Sequence, residues 1–149
     1  MSVFIGVDPG TSGGIAWIED EASFGKQSFA KMSEREVSSL IKDLTYLSEQ
    51  TPCAVIELVH SSPQMGVKSA FTFGRSYGFL RGVLAANHIS YVEVRPQAWQ
   101  KAMGCLTKGD KNVTKSLAQQ LYPGERITHA TADALLLATY CRRHHKDLF

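Results

Sequence analysis

Cysteine, proline and long apolar runs are all in short supply here, and each shortage closes off a class of protein. The three cysteines (Cys53, Cys105 and Cys141) are odd in number, far apart in sequence and without C-x-x-C spacing. They indicate neither a disulfide framework nor a zinc knuckle, and a reducing compartment is the simpler expectation. No uninterrupted apolar stretch approaches the ~20 residues that cross a bilayer, and no basic patch followed by an apolar segment marks a secretory leader. A soluble, cytoplasmic protein with no membrane partner is therefore expected. Repeats, low-complexity tracts and linkers are missing too. The chain has 149 residues, 44% of them apolar and 20% charged, which fits a single domain over residues 1–149 with a core of its own and leaves no room for two.

A formal charge of +2 hides an uneven distribution. Met1 to Glu57 carries four Lys/Arg against nine Asp/Glu, whereas Leu58 to Phe149 carries twelve against five. The second part is where a polyanion would bind, if the asymmetry survives folding as a surface.

Val3, Ile5 and Val7 alternate up to Asp8-Pro9-Gly10, and Gly13 to Ile18 resumes with apolar and β-branched residues, which predicts two strands joined by a tight turn. A weaker third strand is expected near Ser23 to Ala30. Ser33-Glu34-Arg35-Glu36 has the pattern of a capping box, and Val37, Leu40, Ile41, Leu44 and Leu47 continue it as an apolar helical stripe to about Gln50. Ala54-Val55-Ile56 reads as a strand buried on both faces that ends in Glu57. A loop from Val59 to Gly66, a long helix near Ser69 to Asn87 and a strand at Tyr91 to Val94 follow. Pro96 opens a short helix to Met103; further helices are expected over Lys111 to Leu121 and Thr128 to His145. This order predicts an α/β fold: a mixed five-stranded sheet, three strands antiparallel and the later ones parallel, flanked by helices on both faces.

Asp8 and Glu57 end two of these strands, and neighbouring strands would bring their carboxylates close together. Like charges that close need a cation between them. Asp133 follows His129 by four residues, so both lie on one face of the last helix. Carboxylates with a histidine form a hard, oxygen-rich pocket suited to Mg²⁺ or Mn²⁺. Taken singly, each acid has a plainer role: turn residue, strand end, or helix-start acid complementing the dipole. Jointly they stand in apolar contexts (Val7-Asp8, Ile56-Glu57, Ala132-Asp133-Ala134-Leu135) where unpaired charge is costly.

Gly6-Val7-Asp8-Pro9-Gly10-Thr11-Ser12-Gly13-Gly14-Ile15-Ala16, Val55-Ile56-Glu57 and Ala132-Asp133-Ala134-Leu135-Leu136-Leu137-Ala138 resemble the three acidic motifs of RuvC-type Holliday junction resolvases, within the RNase H-like superfamily. The resemblance covers almost the whole chain. It extends to the short RuvC-like resolvases of phages and prophages, which show a similar Gln-x-Gly and Phe-x-Phe-Gly run, here Gln64 to Gly66 and Phe71 to Gly74. It implies an RNase H-like fold and a homodimeric, Mg²⁺-dependent endonuclease, with Mn²⁺ able to substitute, that nicks four-way DNA junctions symmetrically and leaves 5′-phosphates. The bacterial or phage-infected cytoplasm is the implied location. Asp8, Glu57 and Asp133 are the implied ligands of two ions per site, with no nucleotide cofactor. The family's fourth ligand lies three residues before the last acid, where this chain has Ala130; His129 is one residue earlier and is the candidate. Lys111 resembles a lysine placed near the scissile phosphate, and Lys108 and Lys115 join it as candidate DNA contacts. The aromatic wedge that cellular members carry after the second acid is replaced by His60, which leaves His60, Phe71 or Phe73 for that role.

Independently of any family, Ala70, Gly74, Gly78, Gly82 and Ala86 recur every four residues on the long helix, although each glycine costs it about 1 kcal/mol. Either the chain's own sheet or a second subunit must approach that ridge, and the sheet is the simpler expectation. Rival readings remain. Asp8-Pro9-Gly10-Thr11 also fits the Asp-x-Gly-Thr opening of the sugar kinase and actin superfamily, but such ATP-binding proteins need two domains. A nuclease of the same fold acting on RNA, RNA–DNA hybrid or branched DNA in general is another. A non-cleaving junction-binding protein is a third, and acids facing phosphates argue against it.

Overall fold

The computed structural model describes residues 2–20 and 22–149. Strands β1 (Phe4–Asp8), β2 (Gly14–Ile18), β3 (Phe24–Ser28), β4 (Cys53–Glu57) and β5 (Ser90–Val94) form one sheet in the order β3-β2-β1-β4-β5. The first three pair antiparallel, and β1, β4 and β5 pair parallel, as the sequence predicts. Among the described residues six helices accompany them: α1 (Glu34–Leu47), α2 (Val67–Ala86), α3 (Pro96–Ala102), α4 (Asn112–Leu121), α5 (His129–Arg143) and the short α6 (His145–Leu148). The capping box at α1 is formed: Ser33 Oγ accepts from the Glu36 N–H, and the Glu36 carboxylate accepts from the Ser33 N–H. That helix stops at Leu47, three residues short of expectation, because Leu44 is the last of the stripe to be buried and Leu47 is 54% exposed. Among the described residues no helix is long and apolar enough to cross a membrane.

Strand alternation divides the core in two. Val3, Ile5, Val7, Ile15, Ala54 and Ile56 face α1 and α2, while Ala16, Ile18, Cys53 and Val55 face α5 together with α3 and α4. On the second side α5 lies flush on the sheet. A Cβ built on Gly6 would stand 2.2 Å from the Ala134 carbonyl oxygen, and one on Gly14 would stand 2.6 Å from the Ala130 carbonyl oxygen. Only glycine beneath the helix allows that approach.

One expectation is corrected. The small-residue ridge of α2 does not face the sheet: Gly74, Gly78 and Gly82 have nothing within 4 Å of where a Cβ would be. Leu80, Val83 and Leu84 are the side chains that α2 buries, and they leave the glycine side open. The cysteines, far apart in sequence, are not all apart in space, since the buried thiols of Cys53 and Cys141 meet at 3.8 Å across the β4 and α5 interface.

Candidate active site

The parallel pairing of β1 with β4 sets Val7 opposite Ile56, so Asp8 and Glu57 leave the same end of neighbouring strands. Alternation then decides the face. Asp8 shares its parity with Phe4 and Gly6, and Glu57 with Cys53 and Val55, so both acids lie on the side covered by α5. Because glycines let α5 settle there, Asp133, in its second turn, reaches the same place.

The electrostatics record that convergence. Asp8 is held well above the usual carboxylate range, first by burial and then by the charges of Glu57 and Asp133; Lys111 pulls in the opposite direction. Burial pushes Glu57 up to about 7, with Asp133 adding to it, although the Trp99 indole N–H, 2.8 Å from Oε2, favours the ionised form. Asp133 is also raised by burial, and Thr114, Lys111 and His129 each work against that rise. Three partly buried acids that discourage one another's ionisation form a donor set of hard oxygens, which fits a divalent cation in kind. As the side chains stand, no three His, Cys, Asp or Glu among the described residues already surround a common ion position.

Lys111 sits at the amino end of α4, introduced by a loop in which Lys108 adopts a left-handed φ of 49° and Asp110 accepts from the Asn112 N–H. Of the predicted lysines, Lys111 acts on both Asp8 and Asp133. His129, the first residue of α5, is exposed and acts on Asp133. His60 and Phe73 line a common cavity next to the end of β4, with Leu58, Arg95 and Gln97. Phe71 is not part of that cavity and is 70% exposed. Arg142 and Arg143 are nine and ten residues along α5 from Asp133, about 14–15 Å away, near Ile18 and Leu121.

Trp99, Thr114, Arg95 and the two glycines under α5 were not identified from sequence. Gly6 and Gly14 gave a usable signal, flanking Asp8 within apolar strand residues where glycine weakens a strand unless something lies close above it.

No protein-family model matches the sequence, and comparison with curated proteins finds no match. Solved structures do resemble it. RuvC of T. thermophilus in complex with Holliday junction substrate is 13% identical, with 99% of this chain and 96% of that chain covered at a TM-score of 0.67. Thermus thermophilus RuvC is 14% identical over 97% of this chain and 96% of that chain, at a TM-score of 0.62. The fold of this chain is that of RuvC.

Proposed function

We propose that this chain is a divalent-metal-dependent endonuclease that resolves four-way DNA junctions, with Asp8, Glu57 and Asp133 as metal ligands and His129 at the mouth of the same site. The observation that carries the reading is the set of three partly buried, mutually unfavourable carboxylates at one end of the sheet, with the Lys111 ammonium near enough to act on two of them. Burying such charges has no structural benefit, and a phosphate would be repelled by them without a cation. The RuvC fold of the chain, and a RuvC seen with a Holliday junction, agree with this reading.

Mg²⁺ or Mn²⁺ held by those oxygens would supply Lewis acidity toward the phosphate and the attacking water. The carboxylates orient the ion, and Lys111 offsets charge growing on the phosphoryl oxygens. Attack of water oxygen on phosphorus breaks the bond to the 3′-oxygen, leaving a 3′-hydroxyl and a 5′-phosphate. His60, Phe73, Arg95 and Gln97, which line the cavity after β4, would meet the strand beyond the cut. Lys108 and Lys115 hold the backbone on the other side of Lys111.

Symmetric cutting needs two sites related by a two-fold axis, and each chain has one, so the active species is a homodimer. The open ridge of Gly74, Gly78 and Gly82 is its close contact. Labelled four-way junction, fork, linear duplex and RNA–DNA hybrid, each incubated with and without Mg²⁺, test the reading. Paired nicks in opposing strands of the junction, only with metal, are expected. Preferential cutting of the hybrid would move the function to RNA, and junction binding without any cutting would make the chain a binding protein.

A further inference from the structure

Glu57 has one side-chain hydrogen bond that no feature of the acidic motifs anticipates. Its donor is Trp99, the bulkiest fully buried side chain of the molecule, whose Nε1–H points at Glu57 Oε2 from 2.8 Å. The indole nitrogen donates only, so this bond fixes which carboxylate oxygen is engaged. The register explains how they meet. Glu57 pairs with Val94 at the end of β5, and the Leu58 N–H donates to the Val94 carbonyl at 2.8 Å, so the chain leaves β5 alongside the acid. Pro96 starts α3 at once, and the first turn brings Trp99 round to the α5 side of the sheet, where it packs in the same core as Val55 and Leu135. A buried indole with so little freedom is a rigid arm, whereas a glutamate has three rotatable bonds and no orientation of its own.

We propose that Trp99 is the positioning residue for Glu57: it holds Oε2 so that Oε1 is presented to the metal ion, and in doing so sets the affinity of the site. The inference rests on the functional reading above. Partners of this kind, one step removed from the ion, typically change metal affinity by about 10-fold or more when lost. Core packing alone makes a different demand on residue 99, since it asks for shape and not for an N–H.

The test separates the two by calorimetric titration of Mn²⁺ into the DNA-free protein. Three chains are compared: wild type, Trp99→Phe, and a chain carrying 3-benzothienylalanine at position 99, in which sulfur replaces the N–H and the ring shape is kept. Both altered chains are expected to bind Mn²⁺ about 10-fold more weakly, with the isosteric chain melting within about 2 °C of wild type, since its packing is unchanged. Mn²⁺ affinity of the isosteric chain within two-fold of wild type would overturn the proposal while leaving the metal site standing. Should Trp99→Phe fail to fold, the isosteric chain decides alone. A wild-type protein that takes up no Mn²⁺ would overturn both the proposal and the reading it rests on.

Discussion

Helix α5 rests on glycines that belong to the strands beneath it, whereas α2 carries its glycines on its own outward side. Under α5 the missing Cβ atoms of Gly6 and Gly14 are replaced by backbone of the same chain at 2.2 and 2.6 Å. Around Gly74, Gly78 and Gly82 the corresponding space is open. The first arrangement recovers the cost of glycine by internal packing and, in doing so, lowers Asp133 onto Asp8 and Glu57. The second spends about 1 kcal/mol per residue on helix propensity with no return inside the chain. What the contrast teaches is that glycine in the strands beneath α5 lets a helix settle onto the sheet, whereas glycine on α2 leaves an open outward side, the one proposed above as the subunit contact.

The most severe way to break the contrast is Gly6→Val, which forces side-chain atoms into the Ala134 carbonyl. We expect a loss of about 3 kcal/mol or more, read as a lower urea midpoint, or no folded protein at all. A Gly6→Val chain as stable as wild type would mean that α5 can ride higher without penalty.

Next in size, removing Lys108, Lys111 and Lys115 together by alanine substitution should weaken binding to junction and duplex alike. The slope of log affinity against log salt should fall by about one for each lysine that touches a phosphate. Lys111→Ala alone should slow cutting more than it weakens binding. Equal effects on both would return Lys111 to general backbone contact.

On the α2 side the expected effects are smaller and of opposite sign. Gly78→Ala should raise the stability of the isolated chain by up to about 1 kcal/mol, since nothing occupies the space. Gly78→Leu should fold and yet sediment as a weaker dimer. A Gly78→Leu dimer indistinguishable from wild type would remove the ridge from the interface.

Proton linkage sharpens the same contrast, because the three titrating acids meet where α5 packs on the sheet. Glu57 is raised from 4.5 to about 7, and Asp8 and Asp133 are raised as well, so the folded state binds more protons than the unfolded one across that window. Stability of the metal-free protein therefore falls as pH rises from about 4.5 through about 7. Thermal unfolding in chelator should show a higher melting temperature at pH 5 than at pH 8, and Mg²⁺ should restore part of the difference at pH 8. A flat profile would show that the acids are not mutually constrained.

Much of this was legible in the sequence, for reasons that can be stated. Val3, Ile5 and Val7 alternate with period two and Ala54-Val55-Ile56 is uniformly apolar, so the strands followed from burial pattern and their pairing sense from the connections between them, whereas the adjacency of β1 and β4 was known only from the structure. Asp8, Glu57 and Asp133 stood out because each interrupts an apolar run. The bond from Trp99 to Glu57 was not legible, since its partners are 42 residues apart and only the β4 and β5 register brings them together. Nor was the outward direction of the α2 glycines, because exposed Phe71, opposite Phe73, Tyr77 and Leu80, gives that helix apolar residues on more than one side. Cys53 and Cys141 escaped for the same reason as Trp99: 88 residues separate two side chains that only the packing of α5 on β4 joins.

The central claim is that the acids gathered between α5 and the ends of β1 and β4 form the metal-dependent cutting site for junction DNA. Single-turnover cleavage of a labelled four-way junction by wild type and by Asp8→Asn, Glu57→Gln and Asp133→Asn, with binding measured on the same samples, tests it most directly. The account predicts Mg²⁺-dependent cutting by wild type, a loss on the order of 10³-fold in each variant, and junction affinity that persists or tightens. Cutting near the wild-type rate by any one of the three would contradict its place as a metal ligand, and cutting by all three would contradict the site itself.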